Sequence, residues 1–282
     1  MTAIKLVSMG TDPEFFVVDT RGRLVNPARL TGGTKGNAEP IAEPGRFGIG
    51  ALVDGAAVEL NTKLPALNAD DWRAMLRDLA LGITSLAISR GYDWITKSSV
   101  LLSSYARRNP QYNEIGCATD YDAYTGQAVP RITPRALKGW RHAGGHIHAV
   151  VEADDRNLTF DDACRLVRLL DVTVGINDRS SDERRAYIGA GRFRLVKLDG
   201  RTMWVEYRTP CSGNLINNIS GWRDVDLACR MFNGEIAKAG FPENPAVLYA
   251  KSIINRTAPR DALGLPADDY RQFLLAPFSP VR

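Results

Sequence analysis

The sequence predicts an α+β protein built on a largely antiparallel sheet. Strand-like stretches come in clusters with helical ones between them, without the regular β-α-β alternation of a parallel sheet. Asp199-Gly200, set between alternating runs at residues 192–197 and 203–208, has the chemistry of a hairpin turn. The helical stretches carry their own start and stop signals.

Taken in order, residues 15–18 read as a strand that passes through the turn cluster Asp19-Thr-Arg-Gly-Arg into Leu24-Val25, a hairpin. Residues 31–50 are rich in glycine and proline and read as a long loop, of a kind that often serves function. Residues 52–64 read as one strand ending at Pro65. Asn68 caps the first helix, Asp70 and Asp71 suit its positive end, and Gly91 stops it after Arg90. Trp72, Met75, Leu76, Leu79, Ile83 and Leu86 make its apolar stripe, which reads as core. Residues 93–103 read as a strand and 105–135 as an irregular stretch with many turn residues. A strand at 146–151 precedes a helix capped by Thr159, with Asp161 and Asp162 in its first turn and Leu166, Leu169 and Leu170 on its apolar side. The charged run 182–185, which includes Arg185, reads as solvated. After the 192–208 hairpin a third helix covers about 220–238, closed by Gly240 and Pro242, and a short helical segment lies near 244–255.

The 282 residues allow one large core or two modest domains, and 44% apolar with 24% charged residues is ordinary for a globular protein. A net charge of +4 does not argue for nucleic acid, although it helps to draw in anionic substrates such as nucleotides. No apolar run approaches the roughly 18 residues of a membrane span. Asp12 and Glu14 interrupt the segment that a secretory leader would need. Cys117, Cys164, Cys211 and Cys229 are widely spaced without a C-x-x-C, which points to free thiols in a reducing, cytoplasmic setting rather than structural zinc.

The chemistry is concentrated at four strands. Asp12 and Glu14 flank Pro13 at the head of Phe15-Phe-Val-Val, so they share one face while Phe15 and Val17 take the other. Neighbouring buried carboxylates repel and lose hydration, which a bound cation offsets; a turn acid followed by an ordinary strand acid fits the same residues. Glu59, with Asp54 at the start of its strand, comes second. His146 and His148 come third, two of only three histidines in the chain, behind Gly144-Gly145. Glu206 and Arg208 come fourth, again two apart. Alone, H-x-H fits two solvent-facing histidines and E-x-R an in-strand ion pair. Together, carboxylates with an imidazole suit Mg²⁺, with Mn²⁺ compatible, and zinc would prefer more nitrogen or sulfur. An arginine beside such a site suits a transferring phosphoryl group.

These motifs resemble a known family. Asp12-Pro-Glu-Phe-Phe-Val-Val-Asp is similar to the first metal-binding strand of glutamine synthetase, Gly144-Gly-His-Ile-His to its glycine-histidine strand, and Val205-Glu-Tyr-Arg-Thr-Pro to its late Glu-x-Arg-x-Pro strand. The pattern over roughly residues 8–225 looks most like the phage-type carboxylate-amine ligases (type 2 amidoligases) of the glutamine synthetase and glutamate-cysteine ligase superfamily. Gly116-Cys117, residues 120–125 and Gly189-Ala-Gly-Arg-Phe-Arg are similar to that phage group. The resemblance implies a curved, mainly antiparallel sheet flanked by helices, as in the glutamine synthetase catalytic domain. It also implies one catalytic domain over residues 1–282, with a peripheral tail from about 257. Glu14 and Glu59 would hold the metal at the acyl-phosphate site. Asp12, His146 and Glu206 would hold the metal that bridges the ATP phosphates. His148 and Arg194 would sit by the nucleotide, and Arg208 and Arg192 would contact the transferred phosphoryl group. Asp12 stands where glutamine synthetase has glutamate, and that enzyme's adenine and ammonium pockets have no evident match, so glutamine synthesis is not implied.

The resemblance therefore implies an ATP- and Mg²⁺-dependent ligase that joins a small-molecule or peptide carboxylate to an amine through an acyl phosphate. It acts in the cytoplasm, that of the bacterial host if the gene is phage-encoded. Residues 31–50 or 105–130 would serve as a lid, with Tyr112, Glu114 and Asp120 near the substrates. Phosphoryl transfer to a nitrogen acceptor and a non-catalytic binding protein are the alternatives. The retained buried charges argue against the latter. Oligomeric state is left open.

Overall fold

The strand that begins the chemistry is longer than its apolar run suggests: β1 spans Ile4–Val18. The computed structural model describes residues 3–41, 45–114, 120–130, 132–217, 220–234 and 245–256. The chain continues with β2 (Glu39–Pro40), β3 (Ile49–Asp54), β4 (Ala57–Thr62) and α1 (Ala69–Ser89). Five short or medium strands follow: β5 (Asp93–Ile95), β6 (Ser99–Leu101), β7 (Asp120–Asp122), β8 (Gln127–Val129) and β9 (Trp140–His142). Then come β10 (Gly145–Ala153), α2 (Phe160–Thr173), α3 (Asp182–Tyr187), β11 (Arg192–Asp199) and β12 (Thr202–Tyr207). The described chain closes with α4 (Ser212–Asn217), α5 (Gly221–Asn233) and α6 (Pro245–Ile254).

The expected α+β class and antiparallel sheet are what the chain forms. One sheet runs β2-β3-β4-β1-β10-β12-β11-β7-β8 with β5 added to β1, and β6 pairs with β9 separately. All of these pairings are antiparallel. Phe15, Val17, Ile147, Ala149, Val151, Phe193, Met203 and Val205 are buried in one apolar cluster with the inner faces of α1, α2 and α5. Helices thus cover one face of the sheet, and the alternate residues are turned to the other face.

The helix signals hold up locally. Asn68 accepts hydrogen bonds from the Asp70 and Asp71 N–H groups. Thr159 and Asp162 form a reciprocal capping box, and Asp162 also accepts two bonds from Arg156 at 2.6 and 2.7 Å. Replacing Asp162 by Ala is expected to cost about 2 kcal/mol, by loss of the cap and of a charged hydrogen-bond partner. Arg156 and Thr159 outweigh burial and hold this carboxyl below its ordinary value. Its contribution is therefore present at neutral pH and lost as pH falls through the carboxylate range. Denaturant midpoints for the two proteins at pH 7 and pH 3 check both statements.

Four expectations are corrected. Residues 52–64 are not one strand but the β3–β4 hairpin, because Asp54-Gly55 is a turn signal and Gly55 takes φ 56°. Residues 93–103 split into β5 and β6, which join different sheets. The loop at 31–50 includes β2 and the start of β3. The run 182–185 is solvated only in its first half: Asp182 is exposed, but Arg184 is 1% exposed and Arg185 7%, and Arg185 is ion-paired with buried Asp178. The short helices α3 and α4 were not foreseen; six residues hold too little periodicity to show. Cys164, Cys211 and Cys229 are free and buried, and Cys117 lies outside the described residues, as do Gly116, Lys238, Gly240, Pro242, Asn244 and the tail from 257. Among the described residues no helix is long and apolar enough to cross a membrane.

Candidate metal and substrate site

Register collects the polar side chains on the sheet face away from the helices. Asp12 of β1 stands opposite His146 of β10, and Glu14 opposite Glu59 of β4. His148 stands opposite Glu206 of β12, and Glu206 opposite Arg194 of β11. Directly opposed residues share a face, so β4, β1, β10, β12 and β11, neighbours in the sheet, converge on one patch. The paired glycines behind His146 are explained by crowding: a side chain on Gly144 would meet the His146 ring, and one on Gly145 the Cys211 backbone.

Two donor clusters result. In the first, one oxygen each from Glu14, Asp54 and Glu59 lie within 4.8 Å of one another. The Gly144 N–H donates to Glu14 Oε2 at 2.6 Å, and Lys35 Nζ lies 3.2 Å from Asp54 Oδ1. Burial, then repulsion from Asp12, Glu14 and Asp54, pushes Glu59 up to about 10 against the pull of Lys35. Burial and Asp54 also raise Glu14, against His146, the Gly144 N–H and Arg184. An all-oxygen set whose members resist joint ionisation fits a hard divalent cation such as Mg²⁺ or Mn²⁺.

In the second cluster, donor atoms of Asp12, His148 and Glu206 lie within 4.8 Å of one another. His148 Nε2 is 3.2 Å from Asp12 Oδ2, and the Trp204 indole N–H donates to His148 Nδ1 at 3.1 Å. His146 Nδ1 is 3.0 Å from Asp12 Oδ1 and 3.5 Å from Glu206 Oε1. Burial works to raise Asp12, but His146 and then His148 outweigh it and hold the carboxyl below its ordinary range. Burial lowers His148, but the Asp12 charge, its hydrogen bond and the Glu206 charge together outweigh it, so the imidazole is raised. Imidazole with carboxylates suits Mn²⁺ as well as Mg²⁺. The two clusters thus differ in charge: one is an excess of acid, the other a balanced network.

Arginines border the second cluster. Arg194 Nη1 donates to Glu206 Oε2 at 2.6 Å and Arg208 Nη1 to Glu206 Oε1 at 2.7 Å. Arg208 Nε is 3.4 Å from Asp120 Oδ1, and Arg194 Nη2 3.9 Å from it. Arg192 alternates with Arg194 on the same strand face, and its Nε meets no hydrogen-bond acceptor among the described residues. Asp12, Glu14, Glu59, His146, His148, Arg192, Arg194, Glu206 and Arg208 are therefore brought to one face. The grouping differs in two respects from the resemblance: Asp54 joins Glu14 and Glu59, and His148 joins Asp12 and Glu206 while His146 braces Asp12. Lys35, from the 31–50 loop, reaches the first cluster. Glu114 borders a cleft beside it, whereas Tyr112 is buried and its carbonyl accepts from Arg141.

That cleft contains residues that sequence reasoning left unassigned: Asp54, Arg184 and His142. His142 Nδ1 lies 2.8 Å from Ser99 Oγ, and the ring stacks on Tyr187 at 4.7 Å. Burial, then Arg184 and Arg141, pushes His142 down to about 3, so its imidazole is neutral at pH 7. The Asp54-Gly55 turn signal points to Asp54; a lone histidine before the H-x-H and an arginine in a charged run carry no comparable sign.

Divalent cations are expected to release protons when they bind the first cluster. Between its ordinary 4.5 and about 10, Glu59 holds a proton in the folded, metal-free protein that the unfolded chain lacks. This group therefore lowers metal-free stability as pH rises through that window, and metal affinity rises with pH. Titration calorimetry with Mn²⁺ in two buffers of different ionisation enthalpy should give different observed heats. Identical heats would contradict the protonated acid.

No family model matches the sequence, and no curated protein matches it. Among solved structures the chain is similar to apo GmaS without ligand, at 13% identity and a TM-score of 0.40, over 98% of this chain and 68% of that one.

Proposed function

We propose that this chain is an ATP- and divalent-metal-dependent carboxylate-amine ligase of the glutamine synthetase type, with residues 1–282 as one catalytic domain. The observation that carries the reading is the pair of adjacent donor clusters on one sheet face, bordered by arginines. Glu14, Glu59 and Asp54 would hold one metal; Asp12, His148 and Glu206 would hold the other, with His146 fixing Asp12. Bound there, the metals would supply positive charge against the triphosphate and the activated carboxyl.

A substrate carboxylate attacks the γ-phosphorus of ATP, giving an acyl phosphate and ADP. An amine then attacks the acyl carbon, expelling phosphate and leaving an amide. Arg194 and Arg192 would bind phosphate oxygens, and Arg208 would offset charge on the transferred group. The 31–50 loop, which already reaches the first cluster through Lys35, would shield the acyl phosphate from water.

With Mg²⁺ and ATP, ADP release is expected to require both a carboxylate and an amine, with amide detected by mass spectrometry. Hydrolysis of ATP that no acceptor stimulates contradicts the proposal. A stable phosphorylated acceptor without amide would identify nitrogen phosphorylation instead.

A further inference from the structure

Arg184 is 1% exposed, yet no carboxylate lies within ion-pair distance of it among the described residues. It sits on α3, and Nη2 donates to the carbonyls of Arg208 at 3.1 Å and Pro210 at 2.6 Å. Its Nε meets no hydrogen-bond acceptor among the described residues. The side chain borders the cleft beside the first acid cluster. The other cleft arginines are engaged: Arg208 by Glu206 and Asp120, Arg141 by Asn113 and the carbonyls of Tyr112 and Trp140. A buried guanidinium whose nearest acidic influence, Glu14, lies beyond ion-pair distance is costly, and a carboxylate would supply both the charge and acceptors for the donors that the two carbonyls leave over.

We infer that Arg184 recognises the carboxylate of an organic acid substrate, and that the cleft between α3 and the first acid cluster is that substrate's binding site. Phe16, Leu137, Tyr187 and Ile188 give the cleft an apolar wall. That wall suits a carbon skeleton and offers nothing to a polyphosphate. Glu14 and Asp54, which also line the cleft, repel an anion. The acid therefore binds well only when a divalent cation neutralises them. The reaction assigned to this substrate rests on the ligase reading; its binding does not.

The probes are acetate, glutarate and benzoate, with inorganic phosphate as the competing anion, each titrated with and without Mn²⁺. At least one carboxylate is expected to bind the wild-type protein, more tightly with Mn²⁺ and more tightly than phosphate. Arg184→Gln should weaken it at least tenfold and Arg184→Lys less, with Mn²⁺ still bound by both. Carboxylate binding equal in Arg184→Gln and wild type overturns the inference, as does absence of binding by all three probes or preference for phosphate. If Arg184→Gln fails to fold, crystals of the wild type with 4-bromobenzoate decide. Bromine in the cleft with its carboxylate on Arg184 supports the site, and any other position overturns it. Binding lost in Arg184→Gln without amide formation by wild type would sink the ligase reading and leave this site standing. Amide formation by Arg184→Gln with an unaltered carboxylate KM would do the reverse.

Discussion

Replacing Glu59 by Gln is expected to stabilise the metal-free protein and abolish turnover. Glu59 sits among Asp12, Glu14 and Asp54, and burial with their repulsion pushes it up to about 10. Gln imitates the protonated acid without the cost of holding a proton at pH 7, a gain of about 1–3 kcal/mol after allowance for screening. The same change removes a donor from an all-oxygen cluster. Metal affinity and turnover should fall about a hundredfold or more, since even groups that only support a ligand cost up to that much. Opposite signs for stability and activity are the mark of strain kept for function. Thermal melts in EDTA, Mn²⁺ titrations and ADP release read the three quantities. A variant that is less stable than wild type without metal would show that Glu59 is a structural acid.

Replacing Glu206 by Ala should destabilise, in contrast. Glu206 is 2% exposed and accepts from both Arg194 and Arg208. Its loss leaves two guanidinium groups, one of them 3% exposed, without their shortest acidic contact and with Asp120 shared between them, at a cost of about 3 kcal/mol. It also removes a member of the second cluster, so Mn²⁺ binding there should be lost. Glu206→Gln keeps the shape but an acceptor for only one of the two arginines, its amide NH2 facing the other, and should recover a small part of the stability without the metal. Urea unfolding in EDTA separates the two effects. A shift of less than about 1 kcal/mol in the alanine variant would mean that the arginines find other partners.

The contrast between these residues also explains what could be read in the sequence. Alternation places Asp12 with Glu14, His146 with His148 and Glu206 with Arg208 on strand faces, and that much follows from a period of two. Which strands are neighbours does not follow from local pattern, because cross-strand pairing is long-range; the resemblance implied only that these residues share metal sites. The division into clusters depended on Asp54, which the β3–β4 turn carries across to Glu14 and Glu59. Residues 52–64 read as one strand hid that turn. Arg184 was out of reach for another reason. A charged run is normally solvated, and only the docking of α3 against the Arg208–Pro210 backbone buries it. The helices were easier, since caps such as Asn68 and Thr159 act within four residues.

The central claim is that two divalent cations bind side by side on this sheet face around a triphosphate. The direct measurement is the anomalous diffraction of Mn²⁺ in crystals grown with a non-hydrolysable ATP analogue. Two peaks are expected, one touching Glu14, Asp54 and Glu59 and the other Asp12, His148 and Glu206, with the phosphates between them and Arg194. A triphosphate bound elsewhere, or manganese absent from both clusters while the nucleotide is present, would contradict it.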